Sequence, residues 1–156
     1  MNMKMKYSGF TLIELMITLG VLSILLVLGV PQFSNSTANS RLTTAINSLS
    51  GDLAFARTEA VKRSVTVTVA AVNPADWAGG WKVTANATDL RISPALSGNA
   101  TIAASAASVN FLPTGRTNSA AALTFSLCDN RAGAHGKRVT LNPTGQTFLE
   151  TKRTCP

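Results

Sequence analysis

The chain opens with a long stretch that is almost entirely free of charge. Between Tyr7 and Ser40 the single charged side chain is Glu14, and the 21 residues Phe10–Val30 are otherwise apolar or small. A helix of that length spans about 31 Å, which matches a hydrocarbon core of about 30 Å. Lys4 and Lys6 precede the stretch and favour a cytoplasmic N-terminus. The pattern therefore predicts a transmembrane helix.

Two other interpretations of this stretch fit less well. A secretory signal peptide has a shorter apolar region followed by a small-residue cleavage site, whereas Val30 is followed by Pro31, Gln32 and Phe33. A buried core helix is the other alternative, but 21 residues that are apolar on every side are too many for the core of a 156-residue soluble fold. The length criterion favours the membrane.

Beyond the apolar stretch, the hydrophobic positions keep a helical spacing. They recur every third or fourth residue, which is typical of one face of a helix packed on a sheet. Polar residues such as Asp52 lie between them. The pattern predicts that the helix continues over residues 31–63. Its apolar stripe comprises Leu42, Ile46, Leu49, Leu53, Ala56 and Ala60.

From residue 64 onwards the pattern changes to that of β-strands. Val65, Val67 and Val69 alternate with Thr66 and Thr68 in a predicted strand that ends near Val72, and short apolar runs separated by turn residues follow it. Asn73-Pro74 and Gly79-Gly80 are predicted turns. The fold class predicted is α+β, with a long N-terminal helix packed on antiparallel sheets and a β-rich domain over residues 64–156. The further strands are predicted at 81–85, 90–92, 101–103, 108–112, 123–128, 138–141 and 146–149.

Composition narrows the function. The 156 residues carry 14 basic and 7 acidic side chains and one histidine, for a net charge of +7. So few acids and a single histidine leave little material for a metal centre or an acid–base site. We therefore expect no enzymatic activity, no metal and no cofactor. The positive charge favours an anionic partner, either nucleic acid or a phospholipid surface.

The residues at the start of the apolar stretch carry a specific motif. Ser8-Gly9-Phe10 and then Glu14 resemble the processing site of type IV prepilins and type II secretion pseudopilins. The resemblance implies a leader over residues 1–9, cleavage between Gly9 and Phe10 by a prepilin peptidase, N-methylation of Phe10, and retention of the helix over 10–30. It also implies a single-pass protein of the bacterial inner membrane with a periplasmic domain, which later enters a pilus or pseudopilus.

Glu14 has a physical role within that resemblance. An acid inside the bilayer costs roughly 2.5–3.5 kcal/mol near the centre of a helix, so it needs a partner. Cleavage would expose a cationic amine on Phe10, which could neutralise Glu14 of a neighbouring subunit. A buried pair of this kind can set the register between helices. We expect Glu14 to act in assembly; the alternative is that it simply reaches the lipid headgroups.

The second half of the chain resembles the GspH/FimT branch of minor pilins and pseudopilins. The motifs that carry the resemblance are Gly80-Trp81, Val109–Gly115, Leu123–Cys128 and Arg138–Leu141, with a cysteine close to the C-terminus. The resemblance implies a pilin-like fold and other major or minor pilins, or pseudopilins, as partners.

Cys128 and Cys155 are the only cysteines of the chain. In an extracytoplasmic domain such a pair is expected to form one disulfide. The alternatives are a redox or nucleophilic role, or a metal site together with His135, although the spacing matches no known metal motif. His135 is expected in an exposed loop.

The C-terminal region is basic and is a candidate for binding double-stranded DNA. Some FimT-type proteins bind DNA through a Gly-Arg-x-Arg motif, but this chain has Gly145-Gln146-Thr147-Phe148 at the corresponding turn. We therefore predict a minor type IV pilin that primes or joins the pilus tip complex. The alternatives are a DNA-binding minor pilin for natural transformation and a type II secretion minor pseudopilin. The candidate DNA-binding residues are Arg116, Arg131, Lys137, Arg138, Lys152 and Arg153.

Overall fold

A computed structural model describes residues 9–74 and 76–155 of the chain. One helix, α1 (Leu12–Arg63), precedes eight strands. The predicted leader lies mostly outside the described residues. The chain forms two compact units, the first ending at Thr37 and the second beginning at Ala38. The strands are β1 (Val67–Asn73), β2 (Asp76–Ala85), β3 (Thr88–Ser93), β4 (Thr101–Ala104), β5 (Ser108–Phe111), β6 (Leu123–Cys128), β7 (Gly133–Leu141) and β8 (Thr147–Cys155).

The second unit contains two antiparallel sheets of four strands each. The first has the order β3-β2-β1-β5, and the second has the order β4-β6-β7-β8. Both sheets and the α1 segment from Ala38 onwards contribute to one hydrophobic core. The predicted α+β class, a long helix packed on antiparallel sheets, is confirmed.

The helical stripe predicted from the sequence supplies the α1 side of this core. All six stripe positions are buried, and Ile46, Leu49 and Leu53 have no exposed surface. The stripe residues belong to the same buried cluster as Trp77 and Trp81 of the first sheet and Phe125 of the second. The rings of Trp77 and Phe125 pack edge to face, with their centroids 4.9 Å apart. The helix ends at Arg63, where the sequence predicted its end.

Several strand limits differ from the prediction. Gly79 and Gly80, predicted to form a turn, lie inside β2. Gly80 has a φ of +102°, and a Cβ there would lie 2.6 Å from the Ser93 carbonyl oxygen, so close approach of β3 explains this glycine. The strands β7 and β8 are longer than predicted, because they continue as a pair to the disulfide. His135 consequently lies in β7, half-buried, and not in an exposed loop.

The pair β7–β8 is tied to β6 by the disulfide. Cys128 at the end of β6 is bonded to Cys155 at the end of β8 across 27 residues of sequence. Gly136 of β7 passes directly beside it, since a Cβ at this position would lie 2.6 Å from the Cys155 Sγ. The predicted disulfide is confirmed, and its two sulfurs are therefore not free for the alternative redox or metal-binding roles.

Candidate functional site

The predicted processing and assembly residues lie at the start of the first unit. Phe10 is 85% exposed, and the space around Gly9 is open. The hydroxyl of Thr11 accepts a hydrogen bond from the backbone N–H of Glu14 at 3.3 Å. Thr11 is thus the N-cap of α1, with Glu14 in its first turn, where a negative charge is favoured. Cleavage and methylation at Gly9–Phe10 stay predictions.

The apolar side chains that follow Glu14 lie on the surface of the first unit. From Leu12 to Val27 every described side chain is exposed, and Thr18 and Ser23 turn their hydroxyls back onto helix carbonyls. Within the described residues, α1 is the one helix that is long and apolar enough to cross a membrane, with a mean hydropathy of 2.5 over its most apolar window. Such a surface is stable only in lipid or against other apolar helices.

Two of the six candidate DNA-binding cations are already bound to acids. The Arg131 guanidinium lies 2.7 Å from Asp129 and donates a hydrogen bond to Asn39 of α1. Arg138 donates to the Ser126 hydroxyl at 3.1 Å and lies 3.9 Å from Glu150 on the next strand. Both side chains are about four-fifths buried. Their charges are engaged by the fold and contribute less to an external anion.

The arginine next to Asp129 also changes the acidity of that carboxyl. Hydrogen bonding to the Arg131 side chain holds the Asp129 pKa below its ordinary value of 3.8, against the opposing effect of burial. The Asp129 side chain is only 10% exposed. The pair is therefore a structural contact that joins the start of the α1 segment to the turn after β6.

Three other cations do lie together on the β7–β8 pair. Arg153 pairs with Gly136 and Thr151 pairs with Lys137, so Lys152 is an extra residue, a β-bulge. Its φ of +63° is the left-handed conformation. Lys152 and Arg153 are exposed, and Lys137 is half-buried. These three form the part of the predicted basic region that solvent can reach.

Arg116 lies at the other end of the second unit. Its turn, Leu112–Arg116, has the same hydrogen bonds as the turn Asn142–Gln146, and both contain Pro-Thr-Gly with the glycine at positive φ. Arg57 of α1 donates from Nε to the Gly115 carbonyl at 3.0 Å. Arg57 and Asn39, the helix contact of Arg131, are about 27 Å apart along α1. The structure therefore does not bring the six cations into one patch.

Sequence reasoning missed the role of Asp52. This carboxylate is 3% exposed and accepts hydrogen bonds from the Trp81 indole at 2.8 Å, from Arg91 at 2.8 Å and from the Ser93 hydroxyl. The Arg91 guanidinium also lies 4.1 Å above the Phe55 ring. An acid within one turn of buried stripe residues could have indicated a buried partner.

The described residues contain no cluster suited to binding a metal ion. In residues 9–74 and 76–155, no three His, Cys, Asp or Glu side chains lie together as metal ligands would. Every buried side-chain nitrogen and oxygen in the same ranges has a hydrogen-bond partner.

Comparisons with known proteins agree with this geometry. The family profile of the type II transport protein GspH matches residues 45–145, and the prokaryotic N-terminal methylation motif matches residues 4–30. No curated protein matches the chain.

Among solved structures, two crystal forms of the Pseudomonas aeruginosa type IV minor pilin FimU share the fold. The first form is 23% identical to this chain with a TM-score of 0.68, and the match covers 77% of this chain and 96% of FimU. The second form is 24% identical with a TM-score of 0.64, and the match covers 74% of this chain and 97% of FimU. The minor pseudopilin EpsH of the Vibrio cholerae type II secretion system is 13% identical with a TM-score of 0.54, covering 71% and 97%.

The family profile spans most of the second unit, and the methylation motif covers the apolar start of α1. The fold shared with FimU and EpsH is the one that these two matches imply. The chain therefore belongs to the GspH family and is a minor pilin or pseudopilin of a type IV pilus or a type II secretion system.

Proposed function

We propose that this chain is a minor subunit of a type IV pilus that primes assembly or joins the tip complex. The observation that carries the proposal is the exposed apolar start of α1 with Glu14 in its first turn. In the membrane this surface faces lipid, and in a filament it packs against the same segment of other subunits. The closer structural likeness to the minor pilin FimU than to the pseudopilin EpsH favours the pilus.

The proposed life of the chain has two stages. The helix first holds the chain in the inner membrane with the second unit in the periplasm, where the disulfide forms. Prepilin peptidase then cleaves between Gly9 and Phe10 and methylates Phe10. The new amine of Phe10 pairs with Glu14 of a neighbouring subunit and fixes the axial register of the two helices.

A deletion strain tests this role directly. Cells lacking the chain should have few or no pili, and pili sheared from complemented cells should contain the chain in small amounts. Secretion of type II substrates should be unchanged. Normal piliation combined with lost secretion would overturn the pilus proposal and assign the chain to the secretion system.

A second candidate function is binding of double-stranded DNA. The observation that favours it is the cluster of Lys137, Lys152 and Arg153 on β7–β8, of which the last two are exposed. Such cations can contact phosphates without reading sequence. The pairing of Arg131 and Arg138 with acids leaves this cluster small, so structural assembly is the first candidate.

A further inference from the structure

The strand β8 forms an unusually accessible edge of the second sheet. It is nine residues long, whereas the other edge strands β3, β4 and β5 have six, four and four. The edge of β5 is covered in part by a bridge from Phe111 to Thr117 and a hydrogen bond from Asn118. In β8 every residue from Phe148 to Thr154 is exposed. An open edge presents unpaired backbone groups that another strand can bind.

Two apolar side chains mark the regular part of this edge. Phe148 is 51% exposed and Leu149 is 47% exposed, on opposite faces of the strand. Leu149 pairs with the core residue Val139, so it lies on the side of the sheet that faces α1. The bulge at Lys152 ends the regular section. Five residues, 147–151, are thus available for pairing.

The same edge borders a groove against α1. Ala54, Arg57 and Thr58 line one side of an open cavity of about 450 Å³, and residues 145–148 line the other. The Thr147 and Ser50 hydroxyls lie 3.4 Å apart at this boundary. Arg57 uses its Nε for the Gly115 carbonyl, and within the described residues its terminal nitrogens bind no carboxylate. Arg57 is therefore a donor for an acidic side chain in the groove.

The charges around β8 indicate which charge a strand that pairs with this edge should carry. Arg57 lies near the start of the open section, and Lys152 and Arg153 lie at its end, while Glu150 is the one acid of the strand. A second copy of β8 would place these cations against each other, which disfavours self-pairing. The charges complement an acidic partner.

We infer that β8 is a docking edge for an extended, acidic segment of a different pilin-like subunit, which adds as a fifth strand to the second sheet. Backbone hydrogen bonds along 147–151 supply the affinity, and contacts of its carboxylates with Arg57, Lys152 and Arg153 supply the specificity. This inference rests on the proposed function for its partner class. It goes further by naming the surface and the chemistry of the partner.

Photocrosslinking of the full chain in the cells that make it tests the inference. Benzoylphenylalanine is placed at Phe148 in one strain, at Leu149 in a second, and at Ile92 in a control strain. Ile92 is an apolar residue of edge strand β3 that is 63% exposed. We expect adducts with another pilin-like subunit from Phe148 or Leu149, mapped by mass spectrometry to an acidic segment, and none from Ile92. Using two positions covers the case in which one probe impairs folding.

Charge-reversal variants give the second measurement. Lys152→Glu with Arg153→Glu should abolish the adducts, while the exposed control Arg116→Glu should leave them unchanged. Equal adducts from the β3 control, adducts with DNA or lipid, or no adducts from either β8 position would overturn the inference. The same cells report on the proposed function, because sheared pili are probed for the chain. A chain present in pili without adducts refutes the docking edge alone, and adducts without pilus incorporation refute the pilus role alone.

Discussion

Trp81 of β2 donates its indole N–H to the Asp52 carboxylate of α1 at 2.8 Å, with both side chains buried. The contact joins the helix to the first sheet through a polar bond inside an apolar core. Arg91 and Ser93 of β3 bind the same carboxylate, so one helical residue ties two neighbouring strands. A buried acid is tolerated in such a place because each of its oxygens is bonded.

Replacing Asp52 by alanine should lower the free energy of unfolding by about 2–4 kcal/mol, because it leaves the Trp81 N–H and the Ser93 hydroxyl buried without an acceptor. Arg91 is half exposed and can turn to water, which limits the loss. Thermal unfolding of the full chain in detergent, followed by the near-ultraviolet tryptophan signal, measures the change. The control Glu150→Ala removes an exposed carboxylate that lies 3.9 Å from Arg138, a long contact that should cost less than about 1 kcal/mol. Equal effects of the two variants would contradict the prediction.

The paired Pro-Thr-Gly turns yield a prediction for Gly145. Its φ is +80°, and a Cβ at this position would overlap the Gly115 carbonyl oxygen, which Arg57 also contacts. Gly145→Ala should destabilise the chain by about 2 kcal/mol or more. Alanine is strained at this left-handed backbone conformation, and its Cβ would push the two turns apart. Gly51→Ala is the control, since the space around this helical glycine is open and alanine there should stabilise by about 0.5–1 kcal/mol. Chemical denaturation of both variants distinguishes them; stabilisation by Gly145→Ala would refute the account.

Glu14→Gln should reduce incorporation of the chain into filaments about tenfold or more. An acid in lipid needs a cationic partner, and glutamine carries no charge with which to form that ion pair. The second unit should keep its fold, as shown by disulfide formation and an unchanged unfolding transition. Quantitative blotting of sheared filaments against total membranes gives the ratio. Ser23→Ala in the same apolar segment is the matched control, because the Ser23 hydroxyl donates to the Leu19 carbonyl of its own helix. Unimpaired incorporation of Glu14→Gln would eliminate the proposed role of the acid.

Much of the fold could be predicted from the sequence because local periodicity encodes it. The stripe from Leu42 to Ala60 has the spacing of a helix, and the alternation of Val67 and Val69 has that of a strand, so both were identified. Pairing across long sequence distances has no such local signal. The continuation of β7 and β8 to the disulfide, the burial of Asp52 and the close approach at Gly80 all depend on that pairing.

Only part of the candidate site could be predicted from the sequence, because only part of it is encoded in a local motif. Gly9, Phe10 and Glu14 form a contiguous motif, and the methylation motif found at residues 4–30 agrees with it. The six cations were predicted from charge along the chain, which cannot distinguish Arg131, bonded to Asp129, from Lys152 on an exposed bulge. A count of charges along the sequence identifies a binding surface only when the ion pairs that these charges form in the fold are known.

A mobility-shift experiment decides the DNA candidate. The full chain in detergent is mixed with double-stranded DNA at low and moderate salt, and binding through β7–β8 should weaken steeply between about 50 and 200 mM salt. Lys152→Ala with Arg153→Ala should remove most of it, whereas Arg116→Ala, at the other end of the unit, should not. No shift at low salt would reject DNA binding. It would leave the structural role unaffected.

The Asp129–Arg131 pair predicts a pH dependence of stability. Because the Asp129 pKa is lowered in the folded chain, the pair stabilises the fold at pH values above the ordinary pKa of 3.8. That stabilisation is lost as the pH falls through the lower, folded-state pKa. Asp129→Asn should therefore be less stable than the parent chain at pH 6, and the difference should shrink as the pH falls below 3.8 and protonation removes the charge of Asp129.

Thermal unfolding of the parent chain and of Asp129→Asn in detergent is measured at each pH across this range. The other acids are the same in both proteins, so their contributions cancel in the difference in stability. Asp89→Asn is the matched control, since Asp89 and Lys82 are both 44% exposed and 3.8 Å apart. An exposed pair of this kind contributes little, so its variant should follow the parent at every pH. A difference for Asp129→Asn that stayed constant down to pH 2 would show that the side chain acts through its shape and neutral hydrogen bonds. In that case the charge of Asp129 would have no part in joining the turn after β6 to α1.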